Sequence, residues 1–355
     1  MSVIEAALPM SLDEVTAPWL TSVLSARYPG VAVTRLVLTG QIGGTATKVR
    51  LELEYNEAGA KYGLPASAWL KGGFETHVYA HAPTYIAEAR FFEEWAPKMS
   101  INIPKSYWSG VDGDRQGLVL LEDLADRGAT YGRSTKPLTP DQALAVMNER
   151  GKMHARFWND PQLATLRSYT DRFAGANHFM DKLTKPEVYG PHTETARFAT
   201  APARLKDPQV YRAVMEALYA ITDQGAQTLN QGDSHLGNVF FEADGTVGIL
   251  DWQAYIRASF MCDTAYFLPG ALTVEDRRRH EQDLLKQYLE GLKAQGVKDV
   301  PGWDEAWLLY RKYVIHGFAW SVTTVDFHPE DVIMAYAERY GAVAEDLETL
   351  KALGV

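Results

Sequence analysis

The apolar pattern of the chain changes character near residue 123, and that change constrains the fold more than any other feature. Before it, short β-like runs surround one or two helices. Val31–Thr39 is rich in β-branched residues, and Val49, Leu51, Leu53 and Tyr55 alternate with polar residues as a half-buried strand requires. Ser67–Lys71 reads as a strand with Trp69 and Lys71 on one face and Ala68 and Leu70 on the other. Gly117–Leu121 is a short apolar strand. Ser11 and Glu14 form a capping-box signature, with Leu12, Val15, Trp19, Leu20, Val23 and Leu24 following at helical spacing. Pro83–Trp95 is also helical in pattern and ends before Pro97.

After residue 123 helices dominate. Thr139, Pro140 and Gln142 supply an N-cap, an N1 proline and a capping box for a helix to about Trp158. Gln209–Thr228, Val274–Ala294 and Trp303–Thr324 follow the same period. A β-rich N-terminal lobe joined to a helical C-terminal lobe is an α+β arrangement. The 355 residues suit about two domains, which the pattern divides into 1–123 and 124–355. A single cysteine, Cys262, excludes an internal disulfide or a Cys-rich zinc site and fits a reducing compartment. A net charge of -10 argues against nucleic acid or anionic membrane as a partner. With no basic n-region and no long uncharged apolar stretch, the expectation is a soluble, cytoplasmic protein.

One segment interrupts the helical half. Residues 231–253 read QGDSHLGNVFFEADGTVGILDWQ, where the β-runs Asn238–Glu242 and Thr246–Leu250 flank Asp244-Gly245, a two-residue hairpin signal. With those two residues as the turn, positions whose numbers sum to 489 face each other, and Asn238 and Asp251 satisfy that sum. Facing residues have Cβ atoms roughly 5 Å apart, close enough for two oxygens to share one Mg²⁺ at about 2.1 Å. Asp233 sits on the loop entering the hairpin. An Asp to accept the nucleophile's proton, with Asn and Asp to hold metal against phosphates, is a layout for phosphoryl transfer. The plainer alternative is a loop with Asx turns and a strand that ends in Asp-Trp.

Gln231–Phe241 and Gly248–Trp252 resemble the HGD-x-x-x-x-N and hydrophobic-hydrophobic-D-W motifs of the aminoglycoside phosphotransferase family. That family belongs to the protein-kinase-like superfamily, with choline kinases and ecdysteroid-kinase-like proteins as relatives. Leu120–Leu124 is similar to the interlobe hinge, Met153–Trp158 to the long helix after it, and Asp263–Leu268 to the segment after the metal-binding Asp. The resemblance implies a protein-kinase-like two-lobe fold, with ATP and Mg²⁺ as cofactors. It also implies γ-phosphoryl transfer to the hydroxyl of a small molecule. Carried over residue by residue, it makes Asp233 the catalytic base and Asn238 and Asp251 the metal ligands. Gln231 stands where the family has His, which opens the alternative of a weak or inactive nucleotide-binding relative. His235 can line the substrate site or stabilise the loop. The missing D-F-G and A-P-E motifs argue against a protein kinase.

Nucleotide binding then falls to the upstream lobe. Lys71 is the candidate phosphate-binding lysine, although strand lysines are commonly solvated. Glu88 is its candidate partner, sharing the family's E-x-x-F pattern as Glu88-Ala89-Arg90-Phe91. Glu93 and Glu94 lie about 140° and 240° around the helix from it, so only one face can serve. Gly43 and Gly44, in the turn Gly40–Thr45, can bring backbone N–H groups to phosphate oxygens, or can simply make a hairpin. Glu122, Asp123 and Leu124 would set backbone groups against adenine, with their side chains in solvent. The aromatics Trp303, Trp307, Tyr310, Tyr313, Phe318 and Trp320 are expected to pack helices, His154 to be a satisfied interlobe histidine and not a catalyst, and Arg277–Arg279 to form a solvated helix face.

Overall fold

The computed structural model describes residues 8–74, 82–173, 179–323 and 328–355. The chain forms two compact units. The first comprises Met1–Thr130 with Glu242–Tyr255, and the second Tyr131–Phe241 with Ile256–Val355.

The first unit is built on an antiparallel sheet of β1 (Val33–Ile42), β2 (Thr47–Tyr55), β3 (Ser67–Gly72), β4 (Ser106–Asp112) and β5 (Gln116–Glu122), in the order β1-β2-β3-β5-β4. Register gives each face its character. Val49 pairs with Leu70 and Leu51 with Ala68, and Leu70 pairs with Leu120, so one face is apolar. Helix α1 (Ala17–Arg27) covers it with Leu20, Val23 and Leu24. On the other face Lys48 pairs with Lys71, and Lys71 with Val119.

The capping box at Ser11 is present, but it caps a short 3₁₀ turn, Leu12–Glu14, rather than α1. Helix α1 starts afresh with Thr16 as N-cap, because Pro18 has no N–H to continue a helix from the preceding turn. A short helix α2 (Glu57–Lys61) follows β2. Helix α3 (Ala82–Arg90) then lies against β5 at Gly117, where a Cβ would come within 2.6 Å of the Ile86 Cα and 2.7 Å of the Tyr85 carbonyl oxygen. That close approach seats α3 beside Lys71. Gly117→Ala is expected to lower stability by about 1–3 kcal/mol, the usual cost of overpacking, as read from the urea midpoint.

The second unit is mainly helical. Helix α4 (Pro140–Arg156) carries its complete capping box, and the helix Val274–Ala294 packs along it. The sequence pattern predicts one helix over Gln209–Thr228. The structure ends it at Thr222 and uses Gln227–Asn230 as a strand, paired antiparallel with Ile256–Ser259. Similarly, Trp303–Tyr313 is α-helical, and Val314–Val322 continues as 3₁₀ helix. Tyr310, Tyr313 and Phe318 are buried as packing residues. Arg277 departs from the expected solvated face. It is 1% exposed and paired with Glu281 and Asp346, while Arg278 and Arg279 are exposed. Among the described residues no helix is long and apolar enough to cross a membrane.

Candidate active site

In the first unit, strand β3 carries Lys71 into a buried cluster of charge. Its Nζ lies 2.6 Å from Glu88 Oε2 and 3.0 Å from Asp251 Oδ1, and Lys71 and Glu88 are both buried. Burial pulls the Lys71 ammonium down, but the charges of Asp251 and Glu88 outweigh it and hold it above its ordinary value. Burial likewise pushes the Glu88 carboxyl up, against the pull of Lys71. Glu93 and Glu94 fall in the π-helical turn Phe91–Trp95 that follows α3, so Glu88 is the residue that meets the lysine.

Trp252 explains the E-x-x-F spacing. Its backbone N–H donates to Glu88 Oε1 at 3.1 Å, and its buried ring stacks on Phe91 at 4.2 Å between centroids. Residues three apart on a helix share a side, so Glu88 and Phe91 together clamp the Asp-Trp segment. Asp251 itself has φ +55, a left-handed conformation uncommon for a residue with a Cβ. The ion contacts and the Trp252 anchor hold it there.

Lys48 completes the cluster, and the sequence reading passed over it. Opposite Lys71 in the β2–β3 register, it places Nζ 3.9 Å from Asp251 Oδ2. The Lys71 charge, more than burial, holds the Lys48 ammonium below its ordinary value. Counting register across the two strands would have found it.

Gly43 and Gly44 lie between β1 and β2, both exposed. Neither has a positive φ, a Cβ on Gly43 would meet nothing within 4 Å, and one on Gly44 would meet only the Ala46 carbonyl oxygen at 3.6 Å. The fold of the turn therefore does not require glycine at either place. At the end of β5 the side chains are not solvated as expected. Asp123 is buried against Arg50, 2.7 Å away, and caps Ala125, while Leu124 is buried. Glu122 accepts from the Lys105 N–H and from Arg127, at 2.7 and 2.8 Å.

The hairpin turn also differs from the expected form. The Glu242 N–H donates to the Thr246 carbonyl and the Gly245 N–H to the Glu242 carbonyl, with Gly245 at φ +87. This is a three-residue loop, and Glu242 opposite Thr246 gives a sum of 488 rather than 489. A left-handed glycine after a type I turn inserts one extra residue. Neither Asn238 nor Asp251 lies within a strand, so the cross-ladder pairing expected from the spacing does not form. What remains is the donor chemistry: a carboxylate and an amide carbonyl are hard oxygen donors suited to Mg²⁺. Among the described residues no group of three or more His, Cys, Asp or Glu could hold a metal. Mg²⁺ bound largely by phosphates and water needs no such group.

In the second unit, the loop Gln231–His235 presents Asp233 with its side chain 20% exposed. Asn238 Nδ2 donates to the Asp233 carbonyl at 2.8 Å, which fixes the amide and directs Oδ1 elsewhere. The His235 Nδ1 accepts from the Gly237 N–H, so the neutral ring carries its proton on Nε2, 3.8 Å from Asp233 Oδ2. His235 thus has a loop-stabilising contact. Gln231 is buried and its Oε1 accepts from Ser234 Oγ at 3.1 Å, while its N–H and that of Gly232 donate to Asp263 at 2.7 and 2.9 Å. Behind them His154 faces Asp263 and bonds Tyr288, and Arg150 donates to the Ser234 carbonyl.

A sequence profile of the ecdysteroid kinase-like family matches residues 46–299, well over half of the chain. The chain belongs to the ecdysteroid kinase-like family. With membership comes the protein-kinase-like architecture, visible in a strand lysine paired with a helix glutamate in one unit and a helical unit carrying the Asp233 loop. No curated protein matches the chain. Solved structures that match at low identity include a macrolide 2′-phosphotransferase from Brachybacterium faecium, with 15% identity, 90% of this chain and 97% of that one covered, and a TM-score of 0.48. They also include choline kinase of Streptococcus pneumoniae, at 12% identity, 95% and 98% coverage and a TM-score of 0.44. An ethanolamine kinase of Plasmodium vivax matches at 10% identity, 87% and 81% coverage and a TM-score of 0.49.

Proposed function

We propose that this ecdysteroid kinase-like protein transfers the γ-phosphoryl group of ATP to a hydroxyl of a small molecule. Asp233 orients and deprotonates the acceptor. Lys71, fixed by Glu88, neutralises phosphate charge, with Asn238 and Asp251 as oxygen ligands of Mg²⁺. Gly43 and Gly44 cover the phosphates with backbone N–H groups, and the backbone at Glu122–Leu124 receives the base. When bound, Mg²⁺ would neutralise charge developing on the transferred group.

The observation that carries this reading is the buried Lys71–Glu88 pair with Asp251 at 3.0 Å. Burying an ammonium costs several kcal/mol even when it is paired, and an apolar residue on the strand would avoid that cost. The two glycines that the turn itself does not require support the same reading. The side chain of Gln231 is satisfied inside the loop, which favours an active enzyme over an inactive relative.

Mg-ATP at about 100 times its Kd should stabilise the protein by roughly 2.7 kcal/mol, seen as a raised thermal midpoint. Lys71→Arg keeps a positive charge between Glu88 and Asp251 but not the compact ammonium. It should leave the ligand-free midpoint nearly unchanged and lose at least about half of the Mg-ATP shift. An unchanged shift would remove Lys71 from the site. A hydroxyl-compound library coupled to ADP release then identifies the acceptor, and ADP release with none of its members would favour the inactive reading.

A further inference from the structure

We propose that Lys48 is a second positioning cation for the nucleotide's phosphate chain, held in reserve on Asp251 until nucleotide arrives. The inference rests on the kinase reading above and goes beyond it by assigning a residue that the motifs do not reach.

Lys48 and Lys71 face each other across β2 and β3, on the same side of the sheet. Like charges directly opposed on a sheet destabilise it, so the pair needs a reason and a compensating anion. Asp251 supplies the anion to both, at 3.0 Å from Lys71 and 3.9 Å from Lys48. The two lysines are held unequally. Lys71 is 5% exposed between two carboxylates, whereas Lys48 is 41% exposed, with one carboxylate oxygen at the outer limit of an ion pair.

Charge counting follows from these contacts. Two ammonium groups and the carboxylates of Glu88 and Asp251 sum to zero. If Asp251 turns to a divalent cation, its charge is withdrawn from the lysines. Lys71 keeps Glu88, and Lys48 is left with no anion among these groups. Its ammonium sits on a flexible four-carbon stem and is free to meet a phosphate oxygen. It also lies at the second position of β2, directly after the Gly43–Ala46 turn, where the proposed phosphate-covering backbone begins. A lysine that served only to shield Asp251 would need no such exposure.

The test measures equilibrium binding of Mg-ATP and of adenosine to the full-length protein, as wild type, Lys48→Met and Lys48→Arg. Lys48→Met should weaken Mg-ATP about tenfold, as expected for loss of one charge-assisted contact. Adenosine affinity should stay within about twofold, and Lys48→Arg should recover most of the Mg-ATP affinity because it keeps the charge. The thermal midpoint of each ligand-free variant confirms that it is folded; should Lys48→Met not fold, Lys48→Gln replaces it. Mg-ATP affinity in Lys48→Met equal to or tighter than wild type would overturn the proposal, since a mere shield for Asp251 gives that result. Equal weakening of adenosine and Mg-ATP would overturn it as well. Failure of the wild type to bind Mg-ATP would bring down the kinase reading itself, and Lys48 with it.

Discussion

Asp233→Asn is expected to lower kcat by about 10²–10⁴-fold, the usual worth of proton-transfer catalysis, while Mg-ATP affinity stays within about fivefold. The substitution keeps side-chain size and removes most of the basicity. Loop architecture should survive it, because Asn238 bonds the Asp233 backbone carbonyl rather than its carboxylate. The backbone before Asp233 is held by Asp263 through the Gln231 and Gly232 N–H groups. What the carboxylate itself faces is His235 Nε2 at 3.8 Å. Steady-state kinetics with an identified acceptor, together with the thermal midpoint and Mg-ATP binding, separate lost chemistry from a collapsed loop. Turnover near the wild-type value would show that Asp233 is not the base and would leave the kinase reading to Lys71 and the metal ligands.

The sequence disclosed features that depend on local period and missed those that depend on distant pairing. Val49, Leu51 and Leu53 alternate because one face of β2 is buried, and the alternation is plain in the chain. Thr139 and Gln142 declare the start of α4 because both partners of a capping box lie within one turn. The helix Met261–Ala271 was not recognised, for it is buried on every side and contains Pro269, so no polar face gives it a period. Asp263 lies on that helix, and its role depends on backbone N–H groups more than thirty residues earlier in the chain. Lys71 and Glu88 were legible because an ammonium among apolar strand residues and an E-x-x-F pattern are both local. Lys48 and the second carboxylate contact at Asp251 needed register and tertiary structure. The hairpin failed for a related reason. Asp-Gly permits a two-residue or a three-residue loop, and only the hydrogen bond from Glu242 to Thr246 decides between them.

Asp263→Asn should destabilise the protein by about 3–5 kcal/mol at neutral pH, as breaking a buried, charged network does. Asp263 is buried with both oxygens engaged, Oδ2 by the Gln231 N–H and Oδ1 by the Gly232 N–H. An asparagine can accept only through one of those positions, so one loop N–H would face an amide NH₂ and lose its partner. Arg150 would lose the opposing charge that acts most strongly on its buried guanidinium. In the native protein, burial pushes the Asp263 carboxyl up, but the His154 ring facing it at 3.6 Å and the charge of Arg150 outweigh it and bring the group down to about 2. An unfolded aspartate titrates near 3.9. A carboxyl depressed in the folded state stabilises above its unfolded value, and the contribution is lost as pH falls through its folded value. The window is therefore roughly pH 4 to pH 2, and the contribution at stake is about 2–3 kcal/mol. Urea unfolding of wild type and Asp263→Asn at neutral pH, repeated at steps between about pH 5 and pH 2, reads both effects. The mutant should start lower and fall less steeply across that window. An Asp263→Asn protein with the wild-type midpoint and the wild-type acid slope would show that the loop carrying Asp233 is held by something other than this carboxylate.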